Sequence, residues 1–356
     1  MIEESAGDDP WTSEQLVLCR DDRVGLRAVI AIDDTTLGSG LGGVRCVSYP
    51  SYGAAITEAQ RLAAAMTLKN ASAGLPYGGA KSVIIAPSPG ADRGALMRRF
   101  GDFVARTGGA YLPGVDMGTT VDDLATMGES GAEVSCSEED PSPWTALGVA
   151  AAVRAAVSHL DQRDGLDGVR VLIQGTGHVG AALAFDLAAD GAEVLVADID
   201  QARAQAIAET VGGRVVAPAD VAQTECDVYA PCAVARVVTA DTVPALRCRA
   251  IIGAANDTLS TDADADLLAA RGIVYVPDFI ANAGGVVHIH ALRAGHDEAR
   301  LRTDVTRIGG RVRDLLDASE SAGKTPLAVA VARVHRLLAD ARTHGVTTDN
   351  REVLHA

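Results

Sequence analysis

Short runs of alternating apolar and polar residues open the chain. Gln15-Leu16-Val17-Leu18-Cys19 and Leu26-Arg27-Ala28-Val29-Ile30-Ala31-Ile32 are punctuated by Asp21-Asp22 and Asp33-Asp34-Thr35-Thr36, as strands are by turns. Gly38, Gly40, Gly42 and Gly43 then read as a glycine-rich loop ending at Arg45. A helix is predicted from Thr57 into Lys69. Beyond Pro76, Gly78 and Gly79, the apolar run Val83-Ile84-Ile85 suits a buried strand. Gly94 to Thr107 alternates apolar and arginine positions and reads as a further helix. Residues 130 to 144, with Glu138, Glu139, Asp140, Pro141 and Pro143, read as a linker, and a helix from Ala150 to Leu160 leads onward.

The second half has a different texture. Val169-Arg170-Val171-Leu172-Ile173-Gln174 is a near-continuous apolar run, the mark of a parallel strand covered on both faces. Glu193 to Ala197, Val228-Tyr229-Ala230, Ala250-Ile251-Ile252 and Ile273 to Val276 repeat the pattern with helical segments between them. That predicts a doubly wound sheet. Long helices are predicted from Leu301 and over Val329 to Arg342. The fold class is therefore α/β in two domains. An N-terminal α/β domain spans 1–143, completed by C-terminal helices at about 325–356, and a Rossmann-type doubly wound domain spans 144–324. A chain of 356 residues holds two cores of ordinary size. The first ten residues are expected to be mobile and the tail after His344 frayed.

Composition narrows the class. Apolar residues make up 48% and charged residues 22%, as in soluble globular proteins. A net charge of −16 argues against nucleic acid and anionic membrane as partners, since both demand a basic face. Six cysteines (19, 46, 136, 226, 232 and 248) lie scattered without a C-x-x-C pair, which reads as reduced thiols in a cytoplasmic protein. Met1 to Pro10 is acidic with no apolar core, so no secretory leader is expected. No 18-residue apolar span suggests a membrane helix. The eight histidines form no i, i+4 pair beside a carboxylate, so no metal is assigned; His288 and His290 alternate as in a strand or loop edge.

Two stretches carry candidate chemistry. In the first, Lys69 leaves a helix and Lys81 enters a strand, on either side of a turn holding Pro76, Gly78 and Gly79. These are either ordinary surface lysines or a functional pair, because burial lowers a lysine's pKa and can make it a base near neutrality. In the second, Gly175-Thr176-Gly177-His178-Val179-Gly180 follows a strand and opens a helix, and the next strand ends in Asp198. The alternative is any glycine-rich strand-to-helix turn. The spacing matches a dinucleotide site, with pyrophosphate at the helix N-terminus and Asp198 on the ribose 2′-hydroxyl. The same carboxylate would repel a 2′-phosphate, which favours NAD over NADP.

Lys69-Asn70-Ala71, then Leu75-Pro76-Tyr77-Gly78-Gly79-Ala80-Lys81, resembles the active-site stretch of the glutamate, leucine, phenylalanine and valine dehydrogenases, in the branch acting on apolar amino acids. Four further motifs follow the family's order: Gly42-Gly43 with Arg45, Pro113-Gly114-Val115-Asp116-Met117-Gly118-Thr119, Thr145-Ala146-Leu147-Gly148-Val149, and the glycine turn. The resemblance runs from about Val29 to Arg313. It implies NAD-dependent, reversible oxidative deamination of an apolar L-amino acid to its 2-oxo acid, with release of ammonia, by a homo-oligomer.

It also implies roles. Lys69 holds the substrate carboxylate, Gly42 and Gly43 border the substrate, and Asp116 is the acid/base at nitrogen. Lys81, neutral through desolvation and cationic neighbours, activates water. Leu41, Gly114, Val286 and Ile289 line an apolar side-chain pocket. Thr145, Gly175, Gly177, His178, Val179, Gly180, Asp198, Cys232, Ala233, Ala254, Asn256 and Asn282 surround the cofactor. Taken alone, the early glycines equally suit plain turns, Asp116 an Asx-turn, and Asn282 a strand-end turn. Asp122 and Asp123 suit helix caps.

Four departures stand out: Ala80 for a third glycine, a short proline-rich 130–144 segment, Arg236 where Gly-Gly is usual, and Asp257 where a second asparagine is usual. They motivate two alternatives, a specialised imine or oxo-acid reductase and a non-catalytic NAD-binding homologue. Retention of Lys69, Lys81 and Asp116 together argues against the last.

Overall fold

The computed structural model describes residues 11–135, 140–162 and 164–345. The first ten residues, the 136–139 part of the linker with Cys136, Glu138 and Glu139, and the tail beyond Gly345 lie outside the described residues. Two compact units are present, dividing near residue 138 and again at Leu337.

The first unit is a five-stranded mixed sheet clad on both faces. Its elements are β1 (Gln15–Asp21), β2 (Leu26–Asp34), β3 (Gly40–Val47), α1 (Tyr52–Ser72), β4 (Gly78–Ile85), α2 (Arg93–Ala105), β5 (Tyr111–Val115) and α3 (Val121–Gly128). The strand order is β1-β2-β4-β3-β5. β1 to β2 and β2 to β4 are antiparallel, whereas β3 runs parallel to both β4 and β5.

Side-chain alternation sends successive residues to opposite faces. Val29, Ala31 and Val83 pack under α1, whose Ala55, Ala59 and Ala63 recur every fourth residue and so share one helix face. Ile30, Ile32, Ala80 and Ile84 face α2 and α3 instead, with Leu96, Phe100, Leu124 and Met127. Burial on both faces is why Ala28 to Ile32 of β2 are all apolar, within a run that the sequence reading took as alternating. Thr120 and Asp123 form a reciprocal capping box at the start of α3, so the cap is the threonine, with Asp123 at its third position.

The glycine-rich 38–43 segment is not a loop. Gly40, Gly42 and Gly43 lie in β3, a fully paired interior strand. Glycine here serves close approach: a Cβ on Gly42 would fall 1.7 Å from the Ala80 carbonyl oxygen, and one on Gly79 of β4 would fall 2.2 Å from Thr67 N.

The second unit holds α4 (Ser142–Asp161), β6 (Arg170–Gln174), α5 (His178–Ala189), β7 (Glu193–Ala197), α6 (Gln201–Val211), β8 (Arg214–Val215), β9 (Val228–Pro231), β10 (Ala250–Ile251), α7 (Ala263–Ala270), β11 (Val274–Tyr275), α8 (Asp278–Ala281), α9 (Gly284–Ala294) and α10 (Glu298–Ala322). All its strands are parallel, in the order β11-β10-β9-β6-β7-β8. The first strand of the sheet, β6, thus lies beside the fourth, β9, and the chain reverses direction between them. Ligands of such sheets bind at that switch point.

Two helices begin five or more residues before the sequence reading placed them, and one segment is helical where a strand or loop edge was expected. α1 begins five residues early, at Tyr52, where Ser51 caps it. α4 begins at Ser142, so the Thr145–Val149 stretch is helical; Pro143 is tolerated because the first turn needs no amide donor there. His288 and His290 lie in helix α9. The last helix, α11 (Pro326–His344), returns at its end to the first unit, where Arg342 pairs with Asp34 and donates from Nε to Thr36 Oγ1 (3.1 Å).

Candidate active site

β4 and β5 are not neighbours; β3 runs between them. Lys81 is the fourth residue of β4 and Asp116 follows the last residue of β5. Their side chains nevertheless meet, Lys81 Nζ lying 3.2 Å from Asp116 Oδ2. They meet because the residue of β3 beneath them is Gly43. A Cβ there would lie 2.6 Å from Asp116 Cβ and 3.2 Å from Lys81 Nζ. One missing methyl opens the space in which the pair forms.

Arg45 stands two residues along β3, on the same face as Gly43. Its Nε donates to Asp116 Oδ2 at 2.8 Å, and its Nη1 contacts Glu58 Oε1 at 3.0 Å. Arg61 holds the other Glu58 oxygen at 2.9 Å. The Asp116 backbone N–H donates to Thr119 Oγ1 (3.1 Å), and that hydroxyl donates to Val44 O (2.8 Å). Burial pushes the Asp116 carboxyl up, but the positive charges of Lys81 and Arg45, with their hydrogen bonds, prevail and hold it below the usual carboxylate range. Asp116 is a carboxylate at neutral pH.

Lys69 occupies the last turn of α1, half-buried. Its neighbour Asn70 is fully buried, and Nδ2 donates to Leu41 O (3.1 Å) and Gly78 O (2.6 Å), tying the end of α1 to β3 and β4. On the other sheet face, Tyr111 OH lies 2.8 Å from Ser82 Oγ and donates to Gly42 O at 3.1 Å. Gly42, Gly43 and Gly114 therefore sit on a rigid base, Gly43 directly paired with Gly114. Ala80 is buried on the α2 and α3 side, away from Lys81. Of the proposed apolar pocket, Leu41 and Gly114 belong to the first unit. Val286 and Ile289 are one helical turn apart on α9 of the second.

The second unit brings together most of the candidate cofactor residues. Gly175 has φ +101°, and a Cβ on it would strike Ala233 at 2.5 Å; one on Gly180 would lie 1.9 Å from Gly175 O. Gly177, by contrast, faces open space, with nothing within 4 Å of an added Cβ. It caps α5 without a side chain of its own, leaving the helix N-terminus to an anion. His178 opens that helix, its ring exposed and its Nδ1 3.4 Å from Asp140 Oδ2; Val179 follows, half-buried.

Across the switch point, Cys232 N donates to Gln174 O (2.8 Å), and burial pushes the Cys232 thiol up to about 12. Asn282 Nδ2 donates to Ala254 O (3.1 Å) and to Asn256 Oδ1 (3.0 Å), while Asn282 Oδ1 is buried with no hydrogen-bond partner. A Cβ on Gly285 would come 3.0 Å from Thr145 Oγ1, so the start of α9 closes on the first turn of α4. An open backbone at a helix start, an orphaned acceptor at Asn282 and a strand-end acid at Asp198 suit a dinucleotide.

Sequence reasoning passed over Glu58 and Arg203, and it quoted Asn70 and Thr119 within motifs without giving either a role. It placed Arg45 at the end of a glycine-rich loop and in the Gly42-Gly43 motif without a role of its own; reading β3 as a strand would have put Arg45 and Gly43 on one face. Arg236 and Asp257 both have left-handed backbones (φ +56° and +54°), and Arg236 N donates to Asp257 O at 2.6 Å, joining the loops after β9 and β10. Among the described residues no cluster of His, Cys, Asp or Glu is placed to hold a metal, and no helix is long and apolar enough to cross a membrane.

Residues 14–131 match the family model described as the Glu/Leu/Phe/Val dehydrogenase dimerisation domain, and residues 193–292 match that of glutamate/leucine/phenylalanine/valine dehydrogenase. The chain is 40% identical over 322 residues to leucine dehydrogenase of Bacillus cereus, covering 88% of each. It is 37% identical over 329 residues to phenylalanine dehydrogenase of Bacillus thermotolerans, covering 89% of this chain and 86% of that one. The crystal structure of L-tryptophan dehydrogenase from Nostoc punctiforme is similar with a TM-score of 0.81 at 32% identity, covering 93% of this chain and 97% of that one.

Proposed function

The chain belongs to the Glu/Leu/Phe/Val dehydrogenase family, and from that premise we propose that it catalyses the reversible, NAD-dependent oxidative deamination of an apolar L-amino acid to its 2-oxo acid and ammonia. The observation that carries this reading is the contact of Lys81 Nζ with Asp116 Oδ2 at 3.2 Å, made possible by Gly43.

Each residue does one piece of the chemistry. Lys69, at the end of α1, holds the substrate carboxylate as a point charge. Asp116 takes the proton that the substrate nitrogen must lose, which suits a group that is ionised at neutral pH. Lys81 is the base that accepts a proton from the water adding to the imine carbon. Its contact with Asp116 gives protons a path between water and nitrogen. Arg45 and Thr119 fix Asp116 and touch neither reactant. When bound, the nicotinamide cofactor supplies the hydride acceptor; the Gly175–Gly180 turn, Thr145, Cys232, Ala233, Ala254, Asn256 and Asn282 position it.

The first unit thus carries substrate and the second carries NAD. The candidate side-chain-binding residues are apolar or small in each unit, Leu41 and Gly114 in the first and Val286 and Ile289 in the second, which favours branched-chain or aromatic substrates over glutamate. The names of the relatives, which are dehydrogenases of leucine, phenylalanine and tryptophan, support the same choice. The match of residues 14–131 to a dimerisation domain supports a homo-oligomer built through the first unit. The five described cysteines are free thiols, in keeping with the cytoplasm.

Initial rates of NADH formation with L-valine, L-leucine, L-phenylalanine, L-tryptophan and L-glutamate test the proposal. An apolar amino acid should exceed glutamate in kcat/KM by at least about 100-fold, the cost of burying an unpaired carboxylate being several kcal/mol. Glutamate as the best substrate would overturn the pocket assignment.

A further inference from the structure

Asp198 ends β7 with both carboxylate oxygens occupied. Thr176 donates to Oδ2 from N (2.7 Å) and from Oγ1 (2.9 Å), while Asp200 N and Arg203 Nη2 each donate to Oδ1 at 2.9 Å. A carboxylate offers about four lone-pair sites, so a ribose hydroxyl gains Asp198 only by displacing a donor. Three of the four donors are fixed: Thr176 is buried in the glycine turn, and the Asp200 amide starts α6. The fourth is the Arg203 side chain, which is 48% exposed.

We propose that Arg203 sets the choice of dinucleotide, yielding Asp198 to the ribose 2′-hydroxyl of NAD and turning its guanidinium to the 2′-phosphate of NADP, so that the protein binds both. This rests on the dinucleotide reading above. A solitary acid at the end of this strand repels a 2′-phosphate, and a nearby arginine accommodates it; here the two are joined in one ion pair. The planar guanidinium matches a phosphate in a bidentate fork. Asp200 is the counterweight. It caps α6 by accepting from Arg203 N at 3.1 Å, which leaves a second carboxylate beside the ion pair. Arg203 offsets one of two negative charges, so NAD remains the tighter ligand and NADP is admitted.

Dissociation constants of NADH and NADPH, measured by titration calorimetry on the wild type, Arg203→Ala and Arg203→Lys, test this without turnover. In the wild type NADPH should bind within about 30-fold of NADH, and Arg203→Ala should widen the ratio about tenfold by weakening NADPH alone. NADH should hold or tighten up to about threefold, because a competitor for Asp198 is gone, and Arg203→Lys should keep NADPH nearer the wild-type value. A ratio unchanged in Arg203→Ala, or NADPH undetectable beside tight NADH in the wild type, overturns the role of Arg203 and leaves the dehydrogenase reading standing. Failure of both dinucleotides to bind the folded wild type overturns both readings.

Discussion

Asp116 is held by two cations and has a backbone-fixed position, and Arg45 supplies half of that hold. Its guanidinium lies 2.8 Å from the same oxygen that Lys81 reaches, with Glu58 bracing its far side. Remove Arg45 and burial, the largest influence on Asp116, pushes the carboxyl upward against Lys81 alone. In Arg45→Met the acid limb of kcat/KM should therefore move to higher pH by about one unit, while the rate at alkaline pH is largely kept. Wild-type and variant profiles falling in parallel would show that Arg45 does not act through Asp116. Stability follows the same sign. Asp116 is lowered in the fold, so its contribution is fully present above the unfolded value of about 3.9 and is lost as pH falls through the folded value. Arg45→Met should resist acid less well than the wild type.

At the scale of elements, the end of α1 is tied to β3 and β4 by one side chain. Asn70 gives its two amide hydrogens to the backbone carbonyls of Leu41 and Gly78, both buried residues. Asn70→Ala should cost about 2–4 kcal/mol in urea unfolding, two buried acceptors being left unpaired, and should loosen Lys69 beside it. A loss below about 0.5 kcal/mol would mean that the carbonyls find other donors. These elements were unequally legible. β2, β4 and β6 showed in the apolar runs because each is buried on both faces. β3 was hidden by its glycines, which normally signal a turn; here they admit the Ala80 carbonyl and the Lys81–Asp116 pair. The start of α4 was hidden by Pro141 and Pro143, residues that end helices in their interior but are permitted in the first turn. Ala80 looked like a defect in a catalytic glycine run. It proves to face the core behind the sheet, where a methyl packs against Ile84 and its neighbours.

For the whole molecule, the order of motifs along the chain was readable and the contacts that tune them were not. The glycine turn, its strand and the acid at Asp198 follow a spacing dictated by a strand, a turn and a helix, so they announce a dinucleotide site from sequence. Nothing in that spacing reveals that Asp198 is already bound to Arg203 five residues on, since pairing depends on how α6 leaves the sheet. The same holds for the proposed catalytic pair, Lys81 and Asp116, which lie 35 residues apart in sequence and on strands separated by a third. This pair is proposed to perform the deamination. The direct measurement is parallel assay of NADH and ammonia from the best apolar amino acid, with wild type and Lys81→Ala, alongside NADH binding by each. The wild type should form the two products in equal amounts, and Lys81→Ala should lose at least about 1,000-fold in kcat while binding NADH as before. Turnover retained in Lys81→Ala, or NADH formed without ammonia, would contradict the account.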